Sequence, residues 1–375
     1  MSEPLAGLGD IDWAGLDHAY GSAEDVPALL LALCSDDEEE RHEALGVLFT
    51  NIYHQGNRYG ASAAAAPFLL AIASDPDAPE RTWPLYLAVA LAIGFDEAHL
   101  PSGVDIAGWR DEVARLRATG AEFRFATAEL AAYDAIRAGL PSVRGLLADP
   151  DAEVRAAAAY AVGWFPEEAP DSLAALGALL DTENDPAVVA NALVSVGLLD
   201  GRALLPRLRE HLSGADAGPR CAAGIALARL GEADALVVAE LAACSVAPPE
   251  VPTGFLGGNV RLYSSLALAA LDEPPREAVD AVLEGLSQTS DDESFPMAEV
   301  ALRMAFGSPA VPLPPFAGLT DVQQKSVRTI ASLPSDSWRW GNLMEILSAW
   351  GVPTDHAECR RFAGLDRSGP RPGLR

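Results

Sequence analysis

A chain of 375 residues with a formal charge of -28 and a hydrophobic fraction of 50 % has the apolar content for a large core and the wrong sign for nucleic acid, because a phosphate-binding surface needs cations to displace counterions. An acidic surface of this kind suits a basic protein or peptide instead. The longest apolar stretch, 85–95, is too short to cross a bilayer, the opening MSEPLAGLGDIDW lacks the basic and apolar runs of a secretion signal, and four scattered cysteines without a CxxC pair fit a reducing cytoplasm.

In chain order, the first predicted element is a helix opened by Pro27, with Leu29 and Leu33 at helical spacing, followed by a turn and a second helix beginning near Asp37. The same register returns as Pro67/Asp77/Arg81, Pro141/Asp151/Arg155 and Pro206/Asp216/Arg220, matching Pro27/Asp37/Arg41. A register held over four copies marks a structural repeat, and repeats of this length stack into solenoids. In each copy the proline opens or kinks the first helix, where its missing N–H costs least. The aspartate caps the second helix. The arginine four residues on is placed to pair with that aspartate and to build a ladder from repeat to repeat.

Between these copies lie weaker ones. Arg124 marks one after an insertion at 96–120 that contains a helix around Trp109 to Leu116. Asp185, ahead of Val188 and Val189, keeps the aspartate and loses the arginine, with Gly197 expected to close the helix. A second insertion, rich in Pro and Gly, covers 247–258, and second helices follow at Val260 to Leu271 and after Asp291. Residues 319–350 form a degenerate final unit, as a terminal cap does, and 355–375 is expected to be a flexible basic tail carrying Arg360, Arg361, Arg367, Arg371 and Arg375. The whole is read as one all-α domain, an α-solenoid of about eight or nine helical pairs of roughly 31–43 residues.

The run from Asp149 through Val154, Arg155, the four alanines 156–159 and Tyr160 to Gly163 resembles a HEAT repeat of the bacterial type also found in phycobilin lyases. Residues 35–49 and 216–231 resemble it less closely. The resemblance implies a right-handed superhelix of antiparallel helix pairs, usually serving as a protein-binding scaffold, and is nearly silent on function. The wealth of Ala, Gly, Pro and Arg beside a single lysine, Lys325, points to a GC-rich source and agrees with a bacterial type.

Motifs for chemistry are missing from the sequence. Neither GxxxxGK[ST] nor GxGxxG occurs, nor HExxH or GxSxG, and the six histidines never stand at metal-ligand spacing with another His or Cys. No catalytic residue, metal or cofactor is therefore assigned. The acidic run Asp36 to Glu40 reads as a solvated helix start. Where the register breaks, two segments stand out. Residues 51–59 bring Tyr53, His54, Gln55, Asn57, Arg58 and Tyr59 into one linker, a density of aromatic and hydrogen-bonding groups suited to an interface anchor, a polar-ligand site or a loop that caps the end of the array. Trp338, Arg339 and Trp340 are hot-spot residue types that equally suit the covering of an open apolar end.

The expected function is a non-enzymatic, cytoplasmic scaffold that holds a protein partner on its concave face, a basic one by charge. Its acidity resembles that of HEAT-like immunity proteins directed at cationic toxins. The alternative is a small-molecule-binding enzyme of secondary metabolism with its site around 51–59. HEAT-like DNA glycosylases use a basic groove, which the charge here opposes.

Overall fold

Helix pairs follow one another along the chain, as the proline and aspartate register requires. The computed structural model describes residues 5–119, 124–309 and 311–366. They fall into two units: residues up to Ala226 together with Val251–Gly258, and Leu227–Glu250 together with the residues from Asn259 on. Both units are all-α solenoid, and the β structure is limited to two hairpins, β1 (Asp17–His18) with β2 (Gly21–Ser22) and β3 (Tyr53–His54) with β4 (Asn57–Arg58), among the described residues.

In the first unit α1 (Val26–Ala32) packs on α2 (Glu38–Asn51), and α3 (Gly60–Ser74) on α4 (Thr82–Ile93). Insertion 96–120 supplies α5 (Ile106–Ala118), which lies against α6 (Arg124–Ala138). Then come α7 (Leu140–Gly145) with α8 (Ala152–Val162), α9 (Ala169–Leu180) with α10 (Pro186–Leu198), and α11 (Leu205–Leu212) ahead of α12 (Ala217–Arg229). The second helices stack in succession, α2 on α4, α4 on α8 and α8 on α10. Small buried residues such as Ala157, Ala158 and Ala159 allow that approach. In the second unit α13 (Ala235–Val246), α15 (Arg276–Ser287), α17 (Asp321–Ala331) and α19 (His356–Phe362) form one layer. The other layer is α14 (Val260–Ala269), α16 (Ser294–Phe306) and α18 (Gly341–Ala349).

The caps explain why the pairs break where they do. Asp37 accepts the Glu39 N–H, Asp151 the Glu153 N–H and Asp185 those of Ala187 and Val188, all at 2.9–3.2 Å. Asp77 departs from the pattern: α4 starts only at Thr82, and the Asp77 N–H instead donates to Asp75. The residue two after Asp77 is Pro79, which has no N–H to offer a capping carboxylate. Pro27, Pro141 and Pro206 stand in the first turns of α1, α7 and α11, whereas Pro67 lies inside α3 with its ring at the surface. Gly197 likewise lies within α10 and does not close it.

Arg41, Arg81 and Arg155 do not pair with the aspartates four residues before them. They reach to the next repeat. Arg41 donates to Glu80 at 2.8 Å, Arg81 holds Asp149 by two bonds of 2.8 and 2.7 Å, and Arg155 donates to Glu183 at 2.6 Å. Arg41 also donates to the Ser35 carbonyl and Arg155 to those of Asp149 and Pro150, so each guanidinium ties its own turn to its neighbour's acid. The series is interrupted after α10: Val189 stands where the arginine would, and Gly214 stands where the next acid would. Both halves of the rung are lost together, and a small cavity of ≈ 170 Å³ lined by Val189, His211, Gly214 and Ala215 occupies the place.

The Arg155 side chain is 18 % exposed and that of Glu183 8 %. Arg155→Ala is therefore expected to cost roughly 1.5–3 kcal/mol in urea denaturation, the scale of a hydrogen bond to a charged group. Combined with Glu183→Gln in a double-mutant cycle, it should give a coupling near ~1 kcal/mol. A coupling of zero would remove the ladder as a source of stability.

Segment 355–375 is not a flexible tail from its start. Asp355 caps α19 by accepting the Glu358 N–H at 2.9 Å, Cys359 is buried, and Arg360 pairs with Asp366. Arg367, Arg371 and Arg375 lie outside the described residues, as does the side chain of the expected repeat marker Arg124. The four cysteines are free thiols, with Cys34 half-buried and the other three buried. No helix among the described residues is long and apolar enough to cross a membrane.

Candidate functional site

Residues 51–59 form a hairpin that delivers the chain from α2 into α3. Tyr53 pairs with Arg58 and His54 with Asn57 across β3 and β4. Gln55 and Gly56 form the turn with φ of 52° and 83°, the pair of positive values that a two-residue hairpin needs. The Asn57 amide donates to the His54 carbonyl at 3.2 Å and tightens it. At the far end Ser62 Oγ accepts the Tyr59 N–H and donates to the Ile52 carbonyl, which locks the start of α3. The hairpin β1–β2 braces the near end, where the Ala19 N–H donates to the Asn51 carbonyl and the Asn51 amide donates to Asp25.

The side chains then divide. Tyr59 faces the core. Tyr53 is buried edge-on between Phe49 and Phe95, and burial pushes its phenol up to about 12. His54 Nδ1 lies 3.1 Å from the Thr50 carbonyl, and its ring meets Tyr20 at 5.5 Å. Arg58 is 4 % exposed. It donates to the Gly56 carbonyl, lies 3.6 Å from Glu129 of α6 and sits over the Trp109 ring of α5 at 5.9 Å. Its Nε is buried with no hydrogen-bond partner, and burial lowers its pKa. Gly94 makes room for it: φ is +75°, and a Cβ there would stand 2.6 Å from Arg58 Nη1.

Gln55, Asn57, Arg58, Phe95, His99, Trp109 and Glu129 line a cleft of ≈ 410 Å³. His99 Nε2–H donates to the Ile93 carbonyl at 2.9 Å, and burial pushes its pKa down. Phe95 of the cleft lining is 52 % exposed, and Tyr20, packed on His54 of the hairpin, is 69 % exposed. Sequence reasoning singled out 51–59 as a linker without foreseeing its hairpin, and missed Phe95, His99, Trp109 and Glu129, which come from the turn after α4, from insertion helix α5 and from α6. The pairing of Gly94 with an aromatic at the end of an apolar helix was the one signal available.

In the second unit Trp338 is buried and stacks on His356 at 4.7 Å and 14°. Arg339 and Trp340 both donate to Asp291. The three residues thus join the start of α16 to the approach of α18, the geometry of a cap. On the first unit's surface Glu38, His42 and Glu80 converge within 4.8 Å. Arg41 already holds Glu80 there and keeps its carboxyl below the usual range, with His42 adding to that effect.

Residues 113–197 match the family model described as HEAT repeats. Among solved structures, the complex of CpcE and CpcF of phycocyanin lyase from Nostoc sp. PCC7120 is similar over 82 % of this chain and 94 % of that one, at 15 % identity and a TM-score of 0.47. An engineered protein is similar over 91 % of this chain and 97 % of its own, at 20 % identity and a TM-score of 0.29. No curated protein matches the sequence.

Proposed function

We propose that this chain, an α-solenoid of HEAT repeats, is a non-catalytic scaffold that binds a protein partner at the cleft beside the β3–β4 hairpin. The observation that supports this reading is a pair of exposed aromatics packed on one hairpin: Phe95, which lines the cleft beside the anchored Arg58, and Tyr20, which packs on His54. Exposed aromatics and a fixed guanidinium are the composition of an interface hot spot. The net charge of -28 favours a basic partner, steered by long-range attraction. Binding is favoured over a small-molecule enzyme built on Tyr53, His54 and Arg58, because each of the three is engaged by a different neighbour: Phe49 and Phe95, Thr50 and Tyr20, Glu129 and Trp109. The Trp338–Trp340 segment serves as a terminal cap in this reading.

The test is affinity capture with crosslinking from lysate of the source organism, using the intact chain and its Tyr20→Ala/Phe95→Ala form. A specific partner should be recovered by the intact chain and reduced roughly tenfold or more by the double variant, with unchanged melting temperature. Recovery should also fall as salt rises. Equal recovery by both chains would refute the site.

A further inference from the structure

The second insertion does not hang free. Residues 251–256 lie on α8 and α10 of the first unit and make the contacts of a bound peptide. Asn191, 1 % exposed, is the only amide side chain in α10. Its Nδ2 donates to the Pro252 carbonyl at 3.2 Å, and its Oδ1 accepts the Gly254 N–H at 3.1 Å and the Thr253 hydroxyl at 3.1 Å. One side chain thus grips two backbone groups of an irregular segment, a contact indifferent to most of the segment's side chains. A further bond from Nδ2 to the Ala187 carbonyl at 2.8 Å holds the amide in that orientation.

The next two positions are selective. Gly254 lies on the Tyr160 ring, where a Cβ would stand 2.5 Å from Cγ. Phe255 is 1 % exposed, wedged against Tyr160 at 4.8 Å and Trp164 at 5.5 Å. The Leu256 N–H then ends on Asp96 Oδ2 at 2.6 Å. Residues 251–258 carry no charge. The backbone of the docked segment is also strained at Leu256. Leu256, Gly257 and Gly258 all have positive φ, 52°, 57° and 88°, a conformation uncommon for leucine. Closing it also buries the Asp96 carboxylate, which carries a desolvation cost.

We propose that this groove is a peptide-binding site, occupied in cis by residues 251–256, and that its external ligand is an uncharged segment of a partner protein bearing a glycine followed by an aromatic residue in the register of Gly254 and Phe255. This goes beyond the hairpin interface and rests on residues separate from those tested there, so failure of either leaves the other standing.

The probe is a capped synthetic peptide with the sequence of residues 251–258. The protein is the full chain with 251–256 replaced by a glycine–serine segment of equal length. This chain should bind the peptide saturably and at least roughly tenfold more tightly than wild type, in which the tethered segment competes at a high effective concentration. Adding Asn191→Ala should abolish most of that binding, and a peptide with valine at the Gly254 position should not bind. A folded replacement chain that fails to bind overturns the proposal. Hydrogen exchange on wild type decides the matter independently of that variant's folding. The Gly254 and Leu256 amides should exchange roughly a hundredfold faster than core amides of α8 and α10, through local opening. Protection equal to that of the core would make the segment a fixed structural element and overturn the proposal.

Discussion

Trp164→Ala is expected to lower the stability of the first unit by roughly 3–5 kcal/mol, the range for deleting a large buried aromatic. Trp164 is fully buried and holds together groups from three elements: Tyr160 of α8 at 5.7 Å, Phe255 of the second insertion at 5.5 Å and His99 at 6.4 Å. Such ring pairs add about 0.5–1.5 kcal/mol beyond their buried area. The cavity left behind cannot collapse easily, because α8 is fixed on both sides by α4 and α10. Urea denaturation followed by circular dichroism measures the loss. Trp164→Phe, which keeps a ring in the slot, should lose less. Trp83→Ala, at a residue 47 % exposed, should stay within about 0.5 kcal/mol of wild type. Comparable losses at Trp164 and Trp83 would contradict the packing argument.

Asp96→Asn is expected to stabilise the protein at pH 8 and to have no effect at pH 4. Burial pushes the Asp96 carboxyl up to about 6; the Leu256 N–H opposes this and Glu97 adds to it. The sign follows from linkage. A carboxyl whose folded pKa lies above its unfolded value binds more protons in the folded state between the two, so stability is greatest below about 4 and declines as pH rises through 6. An upward shift of this size corresponds to at most about 3 kcal/mol, and local relaxation reduces it, so a gain of roughly 1–3 kcal/mol at pH 8 is the expected result. Asparagine retains an oxygen to accept the Leu256 N–H, which isolates charge from hydrogen bonding. A gain that persisted unchanged at pH 4 would show that the cause is not the buried charge.

Much of the scaffold was legible because its determinants are local. A capping aspartate needs only the N–H two or three residues ahead, and Asp37, Asp151 and Asp185 could be read without knowing any partner. Even the exception at Asp77 was written in the sequence, as Pro79. The arginines were misassigned in detail for the opposite reason. Their acids lie 39, 68 and 28 residues away, at Glu80, Asp149 and Glu183, so spacing along one helix suggested the wrong partner. Segment 51–59 was visible as an unusual density of polar and aromatic residues. Its cleft was not, since Phe95, Trp109 and Glu129 arrive from elements with no shared period. Asn191 carried a signal that was overlooked: a lone amide amid buried apolar residues must find hydrogen-bond partners somewhere. Here they lie more than 60 residues downstream.

The rung missing after α10 has a consequence for the mechanics of the array. In a stack whose units touch only their neighbours, stability is carried by each unit and by each junction, much as in a row of coupled spins. A junction without its ionic tie transmits less of that coupling. Disorder that starts on one side of Val189 and Gly214 is therefore expected to spread less readily across them, and hydrogen exchange in mild urea should resolve a border there.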